Sequence, residues 1–101
     1  MSKAKIQWTD RAELDLQRIR QGIAKSAPRT ATAYVKKLRR AVDLLRNFPE
    51  LGGICEELPG FGCREIVKGN YRIIYRVLGN VVQIINVRHA ARLLGEDFLD
   101  E

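Results

Sequence analysis

The sequence predicts an α+β domain in which a helical hairpin packs on a small, mostly antiparallel sheet. Two amphipathic segments with helical spacing fill the first half of the chain, and three strand-like segments fill the second half. A short apolar stretch precedes the helices, so the predicted order is β-α-α-β-β-β. The length of 101 residues fits one domain spanning residues 1–101.

The first strand is predicted at residues 6–8, where apolar residues stand at alternate positions. Thr9 and Asp10 then offer N-cap chemistry, and Glu13 stands three residues after Asp10, as in a capping box. The apolar residues behind this cap recur at spacings of four, three and four, and they form one helix face: Ala12, Leu16, Ile19 and Ile23.

The second helix is the clearest periodic element of the chain. Pro28 suits its first turn, and Pro49 ends it because proline disfavours a helical conformation in the preceding residue, Phe48. Its apolar seam alternates spacings of three and four: Ala31, Tyr34, Leu38, Ala41 and Leu45. Two such helices joined by a short turn indicate an antiparallel hairpin.

The second half is predicted to hold a turn-rich connection followed by three strands. Residues 51–62 contain several glycines and prolines and show no periodicity. Strands follow at residues 63–68, 71–77 and 81–88, separated by glycine-asparagine turns, of which the second is a strong hairpin signal. A short terminal helix at residues 90–94 and an acidic segment at 96–101 complete the prediction.

The strand at residues 71–77 is the most informative segment for function. Its period of two places Tyr71, Ile73, Tyr75 and Val77 on one face, and two arginines with Ile74 on the other. A strand that builds the interior therefore also presents Arg72 and Arg76 on its second face. We expect Arg64, on the preceding strand, to share that face.

Clustered guanidinium groups suit phosphates or carboxylates, because arginine offers paired donors that lysine does not reproduce. The plainer alternative is a solvated basic face, or arginines paired with Glu65 and the acidic segment. The net charge of +6 and a pI near 9.7 favour polyanions or acidic protein partners.

Composition narrows the classes of protein further. The apolar runs are too short to span a bilayer, and no apolar segment follows the N-terminal charges, so we expect a cytoplasmic protein. Cys55 and Cys63 are the only cysteines, and we expect both as small buried residues rather than a disulfide or zinc site. No nucleotide-binding fingerprint occurs, and no cofactor or metal is expected.

His89 is the only histidine and the natural candidate for a general base, because its reference pKa lies near neutrality. A catalytic partner would have to be a serine, threonine, cysteine or tyrosine, and no spacing favours one. A structural or surface role for His89 is the alternative.

At this point the chain resembles the RelE/ParE superfamily of bacterial toxins, with matching residues in order along nearly its whole length. The helical part of the match is Trp8-Thr9-x-x-Ala12-x-x-Asp15-Leu16-x-x-Ile19, then Ala33-x-x-x-Lys37-Leu38-x-x-Ala41-x-x-Leu44 and Pro49-x-x-Gly52. The sheet part is Arg64-Glu65, Tyr71-Arg72-Ile73-x-Tyr75-Arg76-Val77 and Val87-x-His89. The resemblance implies the toxin of a type II toxin–antitoxin operon, of the kind that includes plasmid-stabilisation systems.

The superfamily divides by mechanism. RelE-like members cut mRNA in the ribosomal A site with basic residues on the sheet and an arginine or tyrosine near the C-terminal end. Arg72 matches one of those sheet positions and Arg64 approximates another, but the terminal arginine position falls at or near Ala90. No tyrosine follows Tyr75. This pattern favours the other branch.

The segment Val87-Arg88-His89-Ala90-Ala91-Arg92 resembles the ending Val-x-His-x-x-Arg of ParE toxins, with Ala90 where a glycine is common. The resemblance therefore implies a non-enzymatic inhibitor of DNA gyrase, held inactive by an acidic, partly disordered antitoxin that folds onto the hairpin or sheet. A homodimer, or a hetero-oligomer with the antitoxin, is compatible with it. The expected partner-binding residues are Arg72, Arg76, Arg88, His89 and Arg92.

The alternative is a RelE-like endoribonuclease that depends on the ribosome. Arg64 and Arg72 would then bind the scissile phosphate of the mRNA, and His89 would serve as base or acid.

Overall fold

The computed structural model describes residues 3–58 and 60–90 of the chain. The helices are α1 (Asp10–Ala24) and α2 (Pro28–Asp43), which runs into a 3₁₀ turn at Leu44–Arg46. The strands are β1 (Lys5–Trp8), β2 (Gly53–Ile54), β3 (Cys63–Lys68), β4 (Tyr71–Leu78) and β5 (Val81–His89). The expected terminal helix, the acidic segment and Arg92 lie outside the described residues.

The strands form one five-stranded sheet in the order β1-β5-β4-β3-β2. β1 pairs with β5 in parallel, whereas β5, β4, β3 and β2 pair with their neighbours in antiparallel fashion. The α+β prediction of a helical hairpin on a mostly antiparallel sheet is therefore confirmed. β2 was not predicted: this two-residue strand lies in the segment expected to be a turn-rich connection.

Thr9 is the N-cap of α1. Its Oγ1 accepts a hydrogen bond from the backbone N–H of Ala12 at 3.1 Å and donates one to the carbonyl of Ile84 at 2.8 Å. The capping box expected from Asp10 and Glu13 is wrong, because the Glu13 carboxylate instead binds Arg39 of α2 through two hydrogen bonds.

The main core lies between the helical hairpin and the first face of the sheet. Tyr75 is fully buried there, and its hydroxyl donates to the carbonyl of Pro49 and accepts from the N–H of Gly52, both at 2.8 Å. The buried members of this core come from α1, α2, the 3₁₀ turn, the sheet and the residue before β1: Ala4, Ala12, Leu16, Leu38, Val42, Leu45, Ile73, Tyr75, Val82, Ile84 and Val87.

A second, smaller cluster covers part of the opposite face of the sheet. Cys55, Cys63 and Ile74 are buried in it, and Leu58, Phe61 and Ile85 pack against them. We call residues 55–58 and 60–62 the lid, because they cross this second face. Both cysteines are buried, as predicted, and their thiols are not bonded to each other in this structure.

Among the described residues, no helix has the length and apolar character needed to cross a membrane.

Candidate functional site

Arg72 lies on the second face of β4 and is only 5% exposed. Its guanidinium donates to the Glu57 carboxylate at 3.0 and 2.5 Å, and its Nε donates to Glu65 at 2.6 Å. The hydrogen bonds to Glu57, and after them those to Glu65, hold the pKa of Arg72 above its ordinary value. Arg72 thus joins the lid to the sheet. Its contact with Glu65 is the one expected from the alternative in which the sheet arginines pair with acidic residues of the same chain.

Arg76 lies two residues further along the same face. Its guanidinium carbon sits 5.0 Å from the centre of the Phe61 ring, in a cation–π arrangement with the lid. The two arginines on the second face of β4 therefore both contact the lid.

Arg64 lies on the other face of the sheet. The β3–β4 register places it opposite Tyr75, and residues directly opposite in an antiparallel pair share a face. Its guanidinium donates to the carbonyl of Gly52 at 2.8 Å. The expectation that Arg64 shares a face with Arg72 and Arg76 is therefore wrong.

Arg88 and His89 lie at the end of β5. His89 is exposed and stands opposite Tyr71, and the two rings meet edge to face with their centres 5.7 Å apart. Arg88 stands opposite Arg72, and its Nε donates to Oδ1 of Asn86 at 2.7 Å.

This end of β5 extends past the last residue of β1, and α1 packs beside it. Between them lies a cleft of about 480 Å³, which we call the α1–β5 cleft. Its charged and aromatic lining comes from α1, β4 and β5: Arg11, Asp15, Arg18, Tyr71, Arg88 and His89. Three arginines against one carboxylate make this cleft cationic.

Asp15 organises the floor of this cleft. Its carboxylate accepts hydrogen bonds from Nε of Arg11, Nδ2 of Asn86 and the backbone N–H of Val87, each at 2.9 Å. Because Asn86 in turn accepts from Arg88, this buried network orients the Arg88 guanidinium. Sequence reasoning missed Asp15, although a charged residue beside Leu16 on the apolar face of α1 is a detectable signal.

The three residues proposed for a nuclease do not converge. Arg72 lies on the second face, whereas Arg64 and His89 lie on the face that carries the helices. Since Arg64 is opposite Tyr75 and His89 is opposite Tyr71, about 13 Å of strand separates those two positions.

A second surface combines exposed apolar side chains with a basic rim. Leu44, Leu51 and Val67 are between 54% and 59% exposed, and they line a groove between the end of α2 and the β2–β3 edge. The adjoining rim carries three cations: Lys37, Arg40 and Lys68. We call this surface the apolar groove.

Within residues 3–58 and 60–90, no group of three His, Cys, Asp or Glu side chains is arranged to hold a metal ion.

Comparison with known proteins points to one family. A family model described as the ParE toxin of the type II toxin–antitoxin system parDE matches residues 6–94. Among curated proteins, Toxin RelE2 of Caulobacter vibrioides is 37% identical over 91 residues, which is 89% of this chain and 99% of that protein.

Solved structures share this fold. A chromosomal ParDE toxin–antitoxin system from P. aeruginosa superposes with a TM-score of 0.75 at 24% identity, covering 86% of this chain and 96% of that one. The RelBE2 toxin–antitoxin complex from Mycobacterium tuberculosis superposes with a TM-score of 0.59 at 26% identity, covering 86% and 98% of the two chains.

Proposed function

Because the chain belongs to the ParE toxin family of type II toxin–antitoxin systems, we propose that it is a ParE-like inhibitor of DNA gyrase neutralised by a cognate antitoxin. The observation that carries this proposal is the burial of Arg72 between Glu57 and Glu65. It favours recognition of a protein over cleavage of RNA.

A nuclease of the RelE type needs cations that meet the scissile phosphate and stabilise the charge that develops there. Arg72 is already neutralised by two carboxylates, and a phosphate would have to displace both of them. Arg64 points to the other face and is bonded to the main chain. These contacts support a role for the sheet arginines in holding the fold.

The α1–β5 cleft is the proposed contact for gyrase. It joins the predicted partner-binding residues Arg88 and His89 with Arg11 and Arg18 from α1. A cationic cleft next to an exposed histidine suits acidic side chains on a protein partner, because arginine binds carboxylates through paired donors. Arg76 and Arg92 stay as predicted contacts, and the proposed location is the cytoplasm, where gyrase acts.

The apolar groove is the proposed binding site of the antitoxin. The solved relatives named above come from toxin–antitoxin systems, and this groove leaves large apolar side chains exposed beside a basic rim. An acidic antitoxin segment with apolar anchors would cover both features at once.

The proposal is tested by expressing the chain in cells without its antitoxin and following the topology of a reporter plasmid. We expect the plasmid to lose negative supercoils and to accumulate breaks, since gyrase introduces supercoils through transient cleavage of DNA. The Arg18→Glu variant should weaken this effect about tenfold or more, because it reverses one charge of the cleft. Arg20→Glu, an exposed arginine on α1 outside the cleft lining, is the matched control.

The same cultures test the endoribonuclease alternative. This alternative is supported by the similarity to the relative named Toxin RelE2. Mapping of mRNA 5′ ends should show no new cuts at ribosomal A sites. New A-site cuts together with unchanged plasmid topology would overturn the gyrase proposal.

A further inference from the structure

Cys55 and Cys63 face each other across the edge of the sheet. The β2–β3 register pairs Gly53 with Glu65 and Ile54 with Arg64, so Cys55 is the next residue opposite Cys63. The backbone N–H of Cys55 donates to the carbonyl of Cys63 at 3.0 Å, which continues the ladder to this pair. Both residues are 1% exposed and belong to one apolar cluster.

This geometry is compatible with a covalent bridge. Opposed residues in a hydrogen-bonded antiparallel pair have Cα atoms about 5.5 Å apart, which lies inside the range of about 4.4–6.8 Å seen in disulfides. The two side chains also share a face, as their common cluster requires. To form a bond between the two sulfurs, the side chains must rotate and the two Cβ atoms must move slightly closer together. The register of the strands does not have to change.

We propose that Cys55 and Cys63 form an intramolecular disulfide by exchange with a small-molecule disulfide such as oxidised glutathione, and that this bond locks the lid over Arg72. The lid starts at Cys55 and carries Glu57, and the chain returns to the sheet at Cys63. The bond closes this loop at its base and keeps the Glu57 carboxylate beside Arg72.

The exchange balances without a further reactant. One cysteine loses its proton and attacks a sulfur of oxidised glutathione, which gives a mixed disulfide and releases one glutathione thiolate. The second cysteine then attacks the protein sulfur of that mixed disulfide and releases the second thiolate. The two protein thiols are oxidised, glutathione disulfide is reduced, and the two protons pass to the released thiolates.

Opening of the lid controls the rate of this reaction. Burial, and then the neighbouring Cys63, raise the pKa of the Cys55 thiol, so little reactive thiolate forms while the lid is closed. The contacts that hold the lid closed include those of Glu57 with Arg72 and of Phe61 with Arg76. Weakening one of these contacts should therefore speed oxidation.

The bond itself is tested on the full chain in glutathione redox buffer at neutral pH. We expect intact-mass spectrometry to show the loss of two hydrogen atoms with no glutathione retained. Peptide mapping should link Cys55 to Cys63, and dithiothreitol should restore the reduced mass. Cys55→Ser and Cys63→Ser are the controls, and neither should lose the two hydrogen atoms.

Control of the rate by the lid is tested with Glu57→Gln against Glu56→Gln. Loss of the charged hydrogen bonds to Arg72 should raise the oxidation rate about tenfold, whereas the exposed neighbour Glu56 should leave it unchanged. Near-ultraviolet circular dichroism checks that both variants keep the native fold.

A native chain that stays reduced, ends as a glutathione adduct or forms only intermolecular dimers would overturn the disulfide site. Equal oxidation rates for the two glutamine variants would overturn control by the lid. Neither result depends on the identity of the toxin's target.

Discussion

Asp15 is a buried carboxylate that accepts three hydrogen bonds, two of which, from Asn86 and Val87, join α1 to β5. Asp15→Ala should lower the free energy of unfolding by about 3 kcal/mol, because it leaves the Asn86 amide and the Val87 N–H without their acceptor in a buried place. Urea denaturation measures the loss. Asp43→Asn, which weakens an exposed pair with Arg46, should change stability by less than about 0.5 kcal/mol, and equal losses would contradict the role given to Asp15.

Tyr75 makes the free energy of unfolding depend on pH in the alkaline range. Burial raises the pKa of its phenol above the ordinary value, so the unfolded chain releases this proton at lower pH than the folded chain does. Its contribution to stability is therefore constant at lower pH and falls as pH rises through about 10, the ordinary pKa of tyrosine. Urea midpoints measured from pH 8 to 11 should fall less steeply in Tyr75→Phe than in the natural chain; parallel curves would contradict this.

At the scale of single residues, the sequence predicted where several side chains lie better than it predicted which residues they contact. It placed Arg88 and His89 at the end of a strand and both cysteines in the interior. It did not predict the ion pair of Glu57 with Arg72, because the two residues are 15 positions apart in the sequence and the lid that carries Glu57 has no periodicity. It also gave Arg64 the wrong face, since the relative register of β3 and β4 decides that face.

At the scale of elements, the entry to β2 depends on the close approach of the backbone at Gly52, the residue before this strand, to Tyr75. A Cβ built on Gly52 would lie 2.5 Å from the carbonyl oxygen of Glu65 and 2.7 Å from the Tyr75 hydroxyl, whereas one built on Gly53 meets nothing within 4 Å. Gly52→Ala should therefore cost about 2–3 kcal/mol of unfolding free energy, and Gly53→Ala less than about 1 kcal/mol. Equal urea midpoints for the two variants would show that this contact is not tight.

Element prediction succeeded where local signals were strong. Strands β3, β4 and β5 are rich in isoleucine and valine and are separated by glycine-asparagine turns, and α2 has a long apolar seam. β2 could not be predicted, because two residues carry no period and the strand exists only through its pairing with Arg64 and Glu65. Of the two N-cap candidates, Thr9 caps α1, and its hydroxyl also bonds the carbonyl of Ile84 in β5.

At the scale of the whole molecule, the α1–β5 cleft and the apolar groove arise from packing between segments that are distant in sequence.

The apolar groove is the surface that we expect the antitoxin to bind. Leu44→Glu should weaken binding of the cognate antitoxin about 30-fold or more, because it places a charge where an apolar anchor is expected to sit. Leu14→Glu, at an exposed leucine of α1 outside the groove lining, is the control, and titration calorimetry measures both. Equal affinities would place the antitoxin elsewhere.

The central proposal is that this toxin acts by recognising a protein rather than by cutting RNA. The most direct test is a supercoiling assay with the purified chain, purified DNA gyrase, ATP and relaxed plasmid. We expect supercoiling to fall as the chain is added and cleaved plasmid to accumulate, with Arg18→Glu less effective than Arg20→Glu. Undiminished supercoiling in the presence of a large molar excess of the folded chain would contradict the proposal.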